Sequence, residues 1–327
     1  MRKYQTEFGL NVFTQYKKII SVNQLEYFKE DEAHNYHIYG ILMGPRYFIK
    51  PHSYEQFMDH FTTVIFTTID DITTEYSLDI QIDSSLDHRD IELSSSYPHN
   101  ELKITINDDA FCEKYGIPDH AIEITATDLF NGVGAMQVKR VRYKVLYIGQ
   151  AYGKRGERGA IDRLSAHSTL QKILIDCQRI YPQYDLYILL MDMAHRLGMD
   201  ISRPDIPTAK ISSDDDRHIE DVLSELPEER QVINITEAAL INYFKPEYNS
   251  TFVENFPLPT HKSYRQYYDL DYNEVTVEVD MEFDNFPFVE LYTDTATIDS
   301  PWKFVHYQLD NSNERESMYA IFNNSLH

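Results

Sequence analysis

Residues 147–159 read Tyr-Ile-Gly-Gln-Ala-Tyr-Gly-Lys-Arg-Gly-Glu-Arg-Gly, and residues 163–167 read Arg-Leu-Ser-Ala-His. Upstream, Val138 to Ile148 carries the composition of a strand, so Tyr147-Ile148-Gly149 is a strand end on a glycine. The glycine-broken basic stretch after it predicts a loop, and Glu157 to His167 predicts a helix. On that helix Arg163 and His167, at i and i+4, share one side. A Walker A loop is excluded, because three residues rather than four separate Gly149 from Gly153 and Arg155 follows Lys154.

Working outward, Leu170, Ile173, Leu174, Cys177 and Ile180 repeat with the period of a helix burying one face, ended by Pro182. Leu186 to Met191 is a continuous apolar run, expected as a strand buried on both faces. His195 to Arg230, with its prolines and the run Asp214-Asp215-Asp216, is expected as a loop or insertion holding a short helix near His218 to Leu226. A further helix is expected from about Thr236 to Pro246. Its first turn would carry Glu237, where the helix dipole favours a carboxylate. Leu240, Ile241 and Phe244 lie on the same side as Glu237, so its carboxylate points toward the core and needs a cation or strong donors. A divalent metal, or Arg163 in a structural ion pair, would serve.

The flanks are strand-like. Phe61 to Ile72 is rich in Thr and β-branched residues, while Leu78, Ile80, Ile82 and Leu102, Ile104, Ile106 alternate with polar residues. Val275 to Phe283 alternates with an acidic outer face, and Trp302 to Leu309 is another strand. The chain divides into a β-rich region 1–125, a mixed α/β region 126–256, and an acidic β-rich region 257–327. The last could fold alone or pack with the first. The fold class is α+β.

Among 327 residues, 42% are hydrophobic and 25% charged, ordinary for a soluble globular protein. No run approaches a membrane span and no secretory leader is evident, so no membrane partner is expected. Cys112 and Cys177 are too few for a zinc cluster or a disulfide framework, which points to a cytoplasmic setting. His34 and His37 lack a second ligand pair. The net charge is -23, yet Lys139 to Arg163 holds eight basic residues against two acids, +6, leaving -29 for the rest. Such an island would focus a polyanion on one place. Its bland counterpart is a solvated hairpin.

Taken together, Tyr147-Ile148-Gly149, the Arg163-x3-His167 helix and Glu237-x8-Pro246-x2-Asn249 resemble the GIY-YIG nuclease domain, over Val138 to Asn249. The resemblance implies a small antiparallel sheet flanked by helices and a metal-dependent endonuclease acting on nucleic acid, DNA first. It implies Glu237 as ligand of Mg²⁺ or Mn²⁺, and Arg163 on the scissile phosphate. Tyr147 would be a positioning or proton-handling phenol, His167 would orient water, and Asn249 would brace the site. Lys144, Lys154, Arg155 and Arg158 would hold the nucleic-acid backbone. The family's first motif, Gly-Ile-Tyr, is not found in the upstream window Gly132 to Gln137. Tyr143 has the strand parity of Tyr147 and is expected on its face. A catalytically impaired nucleic-acid or protein-binding module is the alternative, with the acidic flanks available to a protein partner.

Overall fold

A computed structural model describes residues 1–25, 34, 36–151, 164, 168–203, 207–210, 212–257, 264–283, 288–309 and 315–319. In chain order the strands are β1 (Thr6–Ser21), β2 (Ile38–Pro45), β3 (Phe48–Ile49), β4 (Glu55–Gln56), β5 (His60–Ile69), β6 (Ile72–Gln81), β7 (Ile91–Ser94), β8 (Glu101–Ile106), β9 (Ala121–Thr125), β10 (Arg140–Gln150), β11 (Tyr184–Ile201), β12 (Glu274–Asp280), β13 (Phe288–Tyr292), β14 (Thr297–Ile298) and β15 (Trp302–Gln308). The helices are α1 (Asp109–Tyr115), α2 (Ala126–Gly132), α3 (Ser168–Ile180), α4 (Ser212–Ser224), α5 (Glu229–Phe244) and α6 (Arg265–Asp269). None of the described helices is long and apolar enough to cross a membrane.

This is an α+β fold with several sheets. The largest has eight strands in the order β14-β13-β10-β2-β11-β1-β12-β15. Its centre, β10-β2-β11-β1, is antiparallel, while β1 with β12 and β10 with β13 are parallel pairs. The sheet therefore takes strands from all three regions into which the sequence divides. Alternation of apolar residues says that a strand has a face to bury; it does not say which strand lies beside it. Between β2 and β10 the chain makes an excursion into two smaller sheets, β3-β5-β4 with β6 on β5, and β7-β8-β9.

One side of the large sheet packs on α5 and on the excursion, with Leu42, Val145, Ile148, Leu189, Ile235, Leu240 and Phe244 in a common core. The other side packs on α3 through Tyr39, Ile41, Leu146, Leu170, Ile173, Cys177, Ile188 and Leu190. α3 lies where its period placed it, and β11 is buried on both faces from Leu186 to Met191.

Three expectations are corrected. Phe61 to Ile72 is not one strand: Asp70 and Asp71, at φ 50° and 63°, form the two-residue turn between β5 and β6. Both central residues of such a hairpin turn need positive φ, which aspartate tolerates. His195 to Arg230 is not mainly loop, and the short helix expected near His218 to Leu226 is the longer α4. β11 continues to Ile201 because β1 offers it a partner from Thr6 upward. The acidic run begins α4, with Asp214 and Asp215 in its first turn, where the dipole welcomes carboxylates; Asp215 also accepts from the Thr6 N–H at 2.9 Å. α5 starts at Glu229 rather than Thr236, directly after the Pro227-Glu228 start signal. β12 keeps the expected alternation, with Val275, Val277 and Val279 buried and Glu278 and Asp280 half-buried. It lies between β1 and β15, and Glu274 is buried against His306 Nδ1 at 2.8 Å.

Candidate active site

The local geometry begins with an irregularity in β10. Its register against β2 shifts between Val145 and Tyr147, so Leu146 is an extra residue, a β-bulge. A bulge inverts the side-chain alternation beyond it. Before it, Val141, Tyr143 and Val145 enter the core under α5; Leu146 and Tyr147 pack on the α3 side instead. The expected common face of Tyr143 and Tyr147 is thereby corrected. Tyr143 is fully buried in the core, edge-on to Tyr187 with ring centroids 4.9 Å apart.

The ring that does meet Tyr147 comes from β2. Tyr39 is paired with Gly149, and its ring centroid lies 6.2 Å from that of Tyr147. A Cβ on Gly149 would sit 2.7 Å from the Tyr39 hydroxyl, so this glycine is required by the close approach of the ring. Tyr39 lies far outside the upstream window Gly132 to Gln137 in which the first-motif tyrosine is expected. The true partner strand is more than a hundred residues away, across the whole β3–β9 excursion. The only available signal was His37-Ile38-Tyr39 opening the apolar run of β2.

Beyond Lys144, β13 no longer pairs with β10. Buried main-chain groups there still need partners, and side chains supply them. Asn249 accepts from the Ile148 N–H at 2.9 Å and donates to the Ile148 carbonyl at 2.8 Å, while the Tyr248 N–H donates to the Leu146 carbonyl. The Tyr248 hydroxyl donates to Asp176 on α3 at 3.0 Å. Gln150 donates to Asn234 of α5 at 2.6 Å, tying the strand end to the helix one turn before Glu237. His37, buried, sets Nδ1 2.9 Å from the Ala151 carbonyl.

Glu237 is half-buried between the buried Thr236 and Ala238, in the middle of α5. The dipole argument for its charge therefore does not apply, since that field acts within the terminal turn. Burial first, and the nearby Glu237 carboxylate second, hold the Tyr264 phenol above its ordinary range.

The strand half of the basic island is already ion-paired, although Arg140 and Arg142 remain exposed. Arg140 and Arg142 converge on the buried Glu290 at 2.6 and 2.7 Å, and Lys144 reaches Asp294 at 3.1 Å. Arg163, His167, Lys154, Arg155 and Arg158 lie outside the described residues.

Among the described residues no group of three or more His, Cys, Asp or Glu side chains comes together. A caged zinc or calcium site would need such a group. Mg²⁺ and Mn²⁺ are hard cations, and Mg²⁺ keeps several waters and takes one or two carboxylates plus substrate phosphate. Glu237 offers one partly buried carboxylate of that donor type, on the α5 side of the sheet and beside Tyr264, whereas Tyr39 and Tyr147 pack on the α3 side. No family model, curated protein or solved structure matches this chain.

Proposed function

We propose that this protein is a divalent-metal-dependent phosphodiester hydrolase, an endonuclease acting on DNA, with a GIY-YIG-like core. The observation that carries the reading is the pairing of Tyr39 with Gly149, which sets two tyrosines side by side on one face of adjacent antiparallel strands. Ile38-Tyr39 supplies the last two residues of a Gly-Ile-Tyr motif, with His37 at the glycine position. The central antiparallel strands β10, β2 and β11, backed by α3 on one side and α5 on the other, are the elements such a core uses.

In this reading each residue has a limited task. Arg163 holds the scissile phosphate and offsets the charge that grows on its oxygens in the transition state. The Tyr147 phenol orients the attacking water and relays its proton, with the fully buried Tyr39 ring backing it and His167 assisting. Asn249 keeps the strand carrying Tyr147 in place although that strand has lost β13. A Mg²⁺ or Mn²⁺ ion on Glu237, when bound, supplies Lewis-acid polarisation of the phosphate.

The test is nicking of supercoiled and labelled linear DNA with Mg²⁺ or Mn²⁺. Wild type should cleave; Glu237→Ala and Tyr147→Phe should not, whereas Tyr143→Phe, altered in the wrong core, should keep activity. Absence of cleavage of single- and double-stranded DNA and RNA by folded protein would overturn the reading.

A further inference from the structure

β1 carries a second bulge. Its register against β11 shifts between Thr14 and Tyr16, which leaves Gln15 as the extra residue. Before it, Phe8, Leu10 and Val12 enter the core under α5; after it, Ile20 enters the core under α3. Tyr16 and Lys18 share the parity of Ile20 and therefore face the side occupied by Tyr39 and Tyr147. Two bulges, at Leu146 and Gln15, thus turn two tyrosines onto one face of the sheet. Bulges re-aim side chains in this way next to active sites.

The lateral path is continuous. Leu190 of β11 pairs with Tyr39 on one side and Lys18 on the other, and Asp192 pairs with Tyr16. Tyr39 itself is fully buried, so a nucleic-acid strand would lie on the half-buried Tyr147, three strand spacings across and four residues along from Tyr16, about 20 Å away. Tyr16 is 39% exposed and lies parallel to His34, with centroids 3.7 Å apart and planes 4° apart. Tyr36, buried, supports both rings from 6.2 and 5.8 Å.

We propose that the Tyr16–His34 pair is a stacking subsite for the base of an unpaired nucleotide, on the strand whose phosphodiester lies at Tyr147. This rests on the hydrolase reading above. A flat, partly exposed ring pair takes any base by its π-face. Asp192, 3.9 Å from His34 Nδ1, places negative charge beside the platform, which rejects a phosphate there and leaves the base as the group that stacks. The substrate class is accordingly single-stranded or locally unpaired nucleic acid.

The experiment uses the full chain without divalent metal, so that nothing is cleaved, and a labelled single-stranded DNA oligonucleotide followed by fluorescence anisotropy. Tyr16→Ala should weaken binding roughly ten- to thirtyfold, while Tyr16→Trp should retain it. A walk of single abasic positions along the oligonucleotide should find one that weakens wild type comparably and Tyr16→Ala no further. Circular dichroism confirms that each variant is folded. Unchanged affinity in Tyr16→Ala, equal affinity for a fully paired duplex, or an additive abasic effect would overturn the subsite. If the stacking cycle holds but Mg²⁺ and Mn²⁺ give no cleavage, the subsite stands and the hydrolase reading falls. If cleavage occurs and Tyr16→Ala keeps its KM and affinity, the reverse is true.

Discussion

From Arg140 to Lys144, β10 is paired on both sides, and its outward basic side chains are matched by Glu290 and Asp294. From Leu146 to Gln150 the same strand has lost β13, carries a bulge, and is held by Asn249, Tyr248 and Asn234. The first half is ordinary sheet whose charges serve the fold. The second half is shaped by side chains that replace a neighbouring strand, and there Tyr147 meets Tyr39. A count of charges along the sequence treats both halves alike. Only pairing separates a charge used in packing from one available to a ligand.

The comparison can be broken first at Glu237. Glu237→Gln is expected to lower metal-dependent cleavage by on the order of a hundredfold or more, with little change in the thermal midpoint; an equal fall in both would make Glu237 a structural residue. Next comes the brace. Asn249→Ala removes two hydrogen bonds to a partly buried strand and is expected to cost about 1–3 kcal/mol in urea unfolding, together with a loss of activity, because Tyr147 rides on that strand. Third, Glu290→Ala leaves Arg140 and Arg142 without their shared carboxylate. Both arginines are half-exposed, so the expected cost is only about 1–2 kcal/mol, and cleavage should persist. A large loss of cleavage there would mean that the two halves are not separate.

The smallest effect lies on the far side of the sheet, where buried polar groups serve packing. There Arg315 pairs with the fully buried Glu7 and with Asp271, and His218 stacks on Tyr4 with ring centroids 3.9 Å apart. Burial, opposed by the charge of Asp271, holds His218 below the ordinary histidine range. The unfolded chain therefore takes up that proton first. The contribution of His218 is complete above about pH 6.5 and is lost as pH falls toward the lower folded value, by less than about 1.4 kcal/mol over one pH unit. Urea unfolding at pH 7.0 and 5.5 should show this slope in wild type and a flatter one in His218→Phe. An unchanged slope would assign it to other groups.

Much of the local structure could be read from residues alone. The period of Leu170 to Ile180 placed α3, the strand character of Val138 to Ile148 placed β10, and the apolar run at Leu186 placed the buried part of β11. Boundaries failed where a polar stretch had a partner that periodicity does not reveal. His195 to Ile201 is strand because β1 lies beside it, and Glu237 lost its place in a first turn because Pro227-Glu228-Glu229 starts the helix earlier. The candidate site was half visible: Tyr147, Glu237 and Asn249 lie within one stretch of chain, whereas Tyr39 does not.

Composition and periodicity by themselves determined an α+β chain with strand-rich flanks and a strand reaching Tyr147 and Gly149, because those properties depend on near neighbours in the chain. Tertiary structure decided that all three regions share one sheet, that Arg140 and Arg142 share the carboxylate of Glu290, and that bulges at Leu146 and Gln15 put Tyr147 and Tyr16 on the face of Tyr39. Strand order and register are contacts between distant residues. A single extra residue reverses every side chain after it, and no periodicity in one strand records what its neighbour requires.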